Sequence, residues 1–192
     1  MGLTIYYRGT LRNPMEIESL LKDVNDICME IGWRSMPIHR SNIMPAQGIV
    51  ITPEGSESIW LTFLANGRMY DPGHFLYTRH PEQEKVDEEK HKWNFTKTQY
   101  AGVDTHMAII KFFRYLSMKY FEEFELKDES QYWETNDPSV CLYHFGGMDE
   151  DLERSSPLIL GTESLEEDDP ESSAELMDEL LLKKGGLGLS LN

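Results

Sequence analysis

The apolar positions of the chain change period several times. Leu3 to Arg8 (LTIYYR) is β-branched and aromatic and predicts a first strand. Ile17, Leu20, Leu21, Val24, Ile27, Cys28 and Ile31 then recur at i, i+3, i+4 spacing, the stripe of an amphipathic helix. Asn13 suits its N-cap, Pro14 its first position, Glu16 a capping box and Gly32 its stop. Strand-length runs follow. Trp33 to His39 is one, and Gly48 to Thr52 with Ser58 to Leu64 predicts a hairpin across Pro53-Glu54-Gly55. Arg68 to Tyr70 and His74 to Thr78 predict another pair, broken at Asp71-Pro72-Gly73. Lys92 to Tyr100 suits one more strand or an extended lead-in to a helix. The helical period returns from about Val103 to Phe121, with Ile109, Ile110, Phe113, Leu116, Tyr120 and Phe121 on one side. Asp104, Lys111 and Lys119 take the other side, and His106 falls near the middle of the apolar one. Glu123 to Lys127 predicts a last strand, and Asp137-Pro138 opens a short helix to about Phe145, before Gly146-Gly147. Strands grouped between two long helices and joined by tight turns predict an α+β fold. Its expected form is a mostly antiparallel sheet with both helices packed on one face, plus an acidic C-terminal tail.

Charge divides the chain unevenly. Residues 1–148 hold 21 acids and 15 bases, whereas residues 149–192 hold 13 acids and 3 bases. The run Glu163 to Ser173 has one leucine and no aromatic, too little apolar surface to offset the entropy of ordering it. It reads as a linker, giving a globular domain at 1–153 and an appendage at 154–192. Arg79 to Lys92 is similarly polar and reads as a solvated loop or a short polar helix. A net charge of −16 disfavours nucleic acid, whose sequence-independent binding needs clustered Lys and Arg. No apolar run approaches membrane-spanning length, and no export signal is visible, so the expected address is the cytoplasm. Two cysteines, Cys28 and Cys141, exclude a disulfide framework and a multi-cysteine zinc site.

Signatures of nucleotide cradles, metalloproteases and serine hydrolases are absent. Ser19 and Lys22 match S-x-x-K, but both fall on the solvent side of the first helix. His74, His80 and His91 lie near Asp71, without the paired spacing of zinc ligands, and read as surface residues; no metal and no cofactor is expected. The most informative segment is Thr96 to Asp137. It places Lys97, Gln99 and Tyr100 before the second long helix and His106 in its first turns. Asp128, Glu129, Tyr132, Trp133 and Glu134 sit on the neighbouring strand and turn. If these meet, His106 with Asp128 or Glu129 forms an acid–base pair, and Lys97, Gln99, Tyr100, Tyr132, Trp133 and Glu134 line a ligand cleft. The competing reading is a hydrogen-bonded core histidine with aromatic packing around it.

Lys97-Thr98-Gln99-Tyr100-Ala101, a helix carrying His106, and Asp128-Glu129 followed by Tyr132-Trp133-Glu134 resemble the pattern of an uncharacterised family of small bacterial proteins. The likeness covers about a quarter of the chain well. It implies a bacterial cytosolic protein and no particular activity. Members of that family often carry cysteine where this chain has Thr96 and glycine where it has Ser130.

In the tail, Ser172 and Glu175 match a capping box, and Leu176, Met177, Leu180 and Leu181 form one apolar face. Lys183-Lys184 and Gly185-Gly186 end that helix favourably for its dipole. Such a helix on an acidic tether suits docking, onto the chain's own body, a second copy or a separate protein. Its negative charge argues against an anionic membrane surface. The leading expectation is a binding or regulatory protein acting through protein contacts. The alternatives are a small hydrolase using His106 with Asp128 or Glu129, and an inhibitor or immunity-type protein for a basic partner.

Overall fold

The computed structural model describes residues 3–41, 44–73, 93–155 and 172–185, and only the backbone of residues 147–155. Strand β1 (Thr4–Leu11) is its hub. Ile5, Tyr7 and Leu11 are buried, in the strand that the β-branched and aromatic run predicts. Gly9 is required, because a Cβ there would lie 2.6 Å from the Glu123 carbonyl and 2.7 Å from the Phe121 ring. The α+β class is the one the sequence pattern predicts, but among the described residues the strands divide into two antiparallel three-stranded sheets. The second is a meander of β2 (Arg34–Ile38), β3 (Gln47–Thr52) and β4 (Ile59–Phe63). The first places β1 between β5 (Asn94–Lys97) and β6 (Phe121–Asp128).

The sheets are tied together at β1. The Tyr7 hydroxyl accepts from the Trp60 amide (2.9 Å) and donates to its carbonyl (3.3 Å), on the neighbouring sheet. Among the described residues Arg68 to Tyr70, expected as a strand, pairs through isolated bridges, Thr10 with Arg68 and Phe63 with Met69. Those pairs face β1 on one side and β4 on the other, so the segment serves as a seam between sheets. Its expected partner, His74 to Thr78, lies outside the described residues, as does Arg79 to Lys92.

Helix α1 (Ile17–Ile31) follows its predicted stripe, with Ile17, Leu20, Val24, Ile27 and Cys28 buried. Its start differs from expectation. Asn13 accepts from the Met15 amide and opens a 3₁₀ turn, Pro14–Glu16, before the α-helix begins. Glu16 therefore occupies the cap position of α1 instead of its third residue and forms no capping box. Gly32 ends the helix with φ +77°.

Helix α2 (Gly102–Tyr120) is buried over more of its circumference than its wheel predicts: Phe112, Arg114 and Tyr115 are also covered. Tyr132-Trp133-Glu134 is not a simple turn but part of a short helix, α3 (Tyr132–Thr135). Helix α4 (Pro138–Ser155) runs through Gly146-Gly147 instead of stopping there. A helical glycine costs only about 1 kcal/mol, a cost a helix can absorb when the following residues continue it. Helix α5 (Ser173–Lys183) from the appendage packs on α2 and α1, and Met177 and Leu181 join the common core. Among the described residues no helix is long and apolar enough to cross a membrane.

Candidate functional site

His106 lies in the second turn of α2, fully buried. Its two ring nitrogens are held from opposite directions. Thr98, in the turn after β5, places Oγ1 2.7 Å from Nδ1. Ser130, just past β6, places Oγ 2.8 Å from Nε2, and Asp128 Oδ1 lies 3.1 Å from the same nitrogen. β1 and the helix bring these groups together: the Thr98 amide donates to the Leu3 carbonyl and Ile5 pairs with Asp128. Cys141 and Phe145 of α4 are also buried, with the Phe145 ring edge-on to the imidazole at 5.3 Å.

The protons in this cluster can be assigned by counting. Ser130 has one hydroxyl proton and donates it to Asp128 Oδ2 at 2.8 Å. Its contact with Nε2 must therefore be one that the ring donates. The Ser130 oxygen is then filled, since the Tyr132 amide also donates to it at 3.3 Å. Asp128 accepts from the Ser130 amide (2.8 Å) and the Trp133 amide (3.0 Å) as well. Burial opposes its charge, but the His106 and Ser130 hydrogen bonds outweigh that and hold its pKa below the ordinary carboxylate range. On the other side, Thr98 can donate to Nδ1 of a neutral ring. With a charged ring it accepts from Nδ1–H and turns its own proton to the Leu3 carbonyl, 3.4 Å away. Both protonation states of the ring are satisfied without moving a heavy atom.

This arrangement differs from an activated serine in one decisive respect. A nucleophilic serine gives its proton to the imidazole, whereas here the serine proton goes to the carboxylate and the imidazole is the donor. Asp128 and Ser130 also share one nitrogen instead of flanking the ring. The wiring is that of a clamp. The Cys141 thiol beside it is pushed up to about 11, chiefly by burial, which keeps it protonated and unreactive near neutrality.

A second buried polar group extends the clamp along α2. Arg114 donates to the carbonyls of Tyr132 (2.6 Å) and Trp133 (2.9 Å) and to the side-chain oxygen of Asn136. Its guanidinium also lies over the Tyr132 and Trp133 rings, at 5.2 and 5.6 Å. It thus supplies the Trp133 carbonyl, which the single turn of α3 leaves unpaired, and adds a second donor to the Tyr132 carbonyl, which already accepts from the Asn136 amide at 3.0 Å. Gln131 and Asn136, on either side of that turn, sit in left-handed backbone with φ of 62° and 53°. Each such residue stores about 1 to 3 kcal/mol of strain, which the surrounding bonds must outweigh.

The sequence-derived candidates therefore separate. His106 and Asp128 meet. Glu129 turns outward and its carboxylate accepts from the Thr4 amide (2.8 Å), closing the end of the sheet instead of facing the ring. Lys97 and Tyr100 are exposed and Gln99 is half-buried, and none of the three has a hydrogen bond to His106. Tyr132 is buried beneath Arg114, Trp133 is half-buried against Phe124, and Glu134 is exposed. Thr98, Arg114, Ser130 and Cys141 were not candidates, although an arginine within the turns of a largely apolar helix is a signal for a buried salt-bridge or carbonyl clamp. Two surface hollows, one beside Arg8 and Arg68 and one beside Asp23, do not touch His106.

Comparison with known proteins gives no further guide. No family model, no curated protein and no solved structure matches this chain. The site must be read from its own chemistry.

A different polar cluster lies where α1, α2 and α5 converge. Asp23 accepts from the Tyr115 and Tyr120 hydroxyls (2.8 Å each), from Lys119 (2.5 Å), and from Lys184 past the end of α5 (3.5 Å). Burial raises its pKa, but Lys119 and the two tyrosines prevail and bring it to about 2. At the other end of α5, Asp104 accepts from the Ser173 amide (2.6 Å), the Ala174 amide (3.1 Å) and the Ser172 hydroxyl. Midway, Lys111 pairs with Asp178 at 2.5 Å and donates to the Ala174 carbonyl at 3.1 Å. The polar side of α2 predicted by its wheel is thus the seat of α5.

Proposed function

We propose that this chain is a cytosolic binding or regulatory protein that works through protein contacts, with its C-terminal helix as the modulating element. The observation that carries this reading is the contrast in attachment between the two polar clusters. The His106 cluster is buried, its donors and acceptors are filled, and its serine proton is directed away from the imidazole, so it serves as scaffold. The polar ties of helix α5, in contrast, run through side chains that water partly reaches, on either side of a buried apolar face. An element of that kind is the natural place for regulation, because local opening there need not unfold the rest.

The test uses the full chain and the variant Met177→Asp/Leu181→Asp, which makes the apolar face of α5 unsuited to burial. Mass in solution and the set of proteins co-purified with each are compared. A shift in either supports the reading, and identical mass and partners in both would remove it. An assay against acyl and phosphoryl esters accompanies it: turnover that disappears in Ser130→Ala would favour the hydrolase alternative.

A further inference from the structure

Among the described residues, every polar tie between α5 and the body involves a side chain of the body. Among the described residues no backbone–backbone hydrogen bond joins α5 to another element; its amides and carbonyls pair within the helix or with Asp104 and Lys111. No sheet ladder would break if it left. Seventeen residues, 156–172, separate Ser155 from the start of α5. Fully extended, a chain of that length spans up to roughly 60 Å.

The seat is chemically specified from end to end. Asp104 faces the helix N-terminus, where a carboxylate meets free amides and the positive end of the dipole. Lys111 answers an acid one turn further on, and Asp23 with Asp26 answers a base at the C-terminus, Lys184 lying 3.5 and 3.6 Å away. Between these polar posts the occupant inserts Ala174, Met177, Leu180 and Leu181, all buried.

We propose, building on the protein-contact reading above, that the α1–α2 face is a helix-binding groove which α5 occupies in cis, competing with a helix of another protein. The partner it fits is an amphipathic helix of the same chemistry. That helix has a small capping residue, apolar positions at i, i+3, i+6 and i+7, an acid at i+4 and a lysine one turn past its apolar stripe. A tethered competitor acts at an effective concentration of order millimolar. Only a partner helix that binds well below that level displaces α5, so the tail sets a threshold for engagement.

The probe is a fluorescein-labelled peptide with the sequence of residues 171–185, titrated into full-length protein. Met177→Asp/Leu181→Asp is expected to bind it at least tenfold tighter than wild type, because the seat is vacated. Adding Lys111→Glu to that variant is expected to lower the affinity at least tenfold, whereas a scrambled peptide binds neither protein. Lys184→Glu, which leaves the apolar contacts intact, should raise peptide affinity a few-fold.

Hydrogen exchange on the wild type supplies the independent readout. Amides of residues 176–183 should open at least a hundredfold more often than those of residues 109–116. Equal opening would make α5 an integral core helix and overturn the groove. Opening as expected, with no peptide binding to a variant whose α2 amides remain protected, would also overturn it. That second result leaves the protein-contact function standing on another surface, whereas an unchanged partner set with a working groove would sink that function and keep the groove.

Discussion

Two polar clusters hang on the same helix and are built in opposite ways. Around His106, the partners are a hydroxyl, a carboxylate and a second hydroxyl, anchored by main-chain amides of Ser130, Tyr132 and Trp133. Around Asp23 and Asp104, the partners are lysines, tyrosines and the end of a helix that comes from the far end of the chain. The first cluster is sealed, so removing one member strands the others in a medium that cannot solvate them. The second is partly solvated, and water can replace what is lost. Burial, not the number of hydrogen bonds, decides which cluster is a scaffold and which can act as a latch.

Experiments that break this contrast should rank accordingly. The largest effect is expected for His106→Ala or Asp128→Ala, each of which leaves a buried partner uncompensated. Urea denaturation should show a loss of about 3 to 5 kcal/mol, with every part of the fold affected. Arg114→Met comes next. It leaves the Trp133 carbonyl unpaired, takes one of two donors from the Tyr132 carbonyl and removes the side-chain anchor of the left-handed residue Asn136. A loss of about 2 to 4 kcal/mol is expected, read as earlier exchange of the Tyr132–Thr135 amides. Met177→Ala should cost about 2 to 3 kcal/mol of docking, yet the exchange of α2 amides should change far less than that of α5 amides. If both change equally, the contrast between scaffold and latch fails.

Acid offers a finer probe of the α1–α2 contact beside the latch. The folded pKa of Asp23 is depressed to about 2, below an unfolded value of roughly 3.9. A depressed carboxylate contributes its full stabilisation above the unfolded value and loses it as pH falls through the folded one. The contact of α1 with α2 at Asp23 should therefore loosen as pH drops from about 4 to about 2, and Asp23→Asn should remove that step from an exchange profile followed at residues 20–27 and 112–119. The smallest effect is expected for Glu179→Ala. Its pair with Lys183 spans 3.8 Å with both side chains well exposed, and a change within about 0.5 kcal/mol in thermal unfolding is all it should produce.

Much of this protein was legible from side-chain periodicity. The β-branched and aromatic run at Ile5 and Tyr7, the stripe from Ile17 to Ile31, and the apolar face from Ile109 to Leu116 each follow from the geometry of one strand or helix. The capping serine at Ser172 and the left-handed glycine at Gly32 are equally local, and both stand where the sequence puts them. His106 was also identifiable, because a polar ring on an apolar face must find partners.

What those partners are was a tertiary decision. Asp128 and Glu129 are adjacent and chemically alike, yet strand pleating sends one inward to the imidazole and the other outward to the Thr4 amide. A shift of one residue in the β1–β6 register would exchange them, and that register is set by the packing of the whole sheet. Thr98 and Ser130 gained their roles through contacts across 8 and 24 residues, which no local pattern encodes. The seat of α5 is of the same kind: Asp104 and Lys111 read as a solvated helix face until a helix from the other end of the chain covers them. Local sequence dictates which face of an element is apolar. Only the folded chain determines what that face meets, since the free energy that chooses the partner comes from burying both surfaces at once.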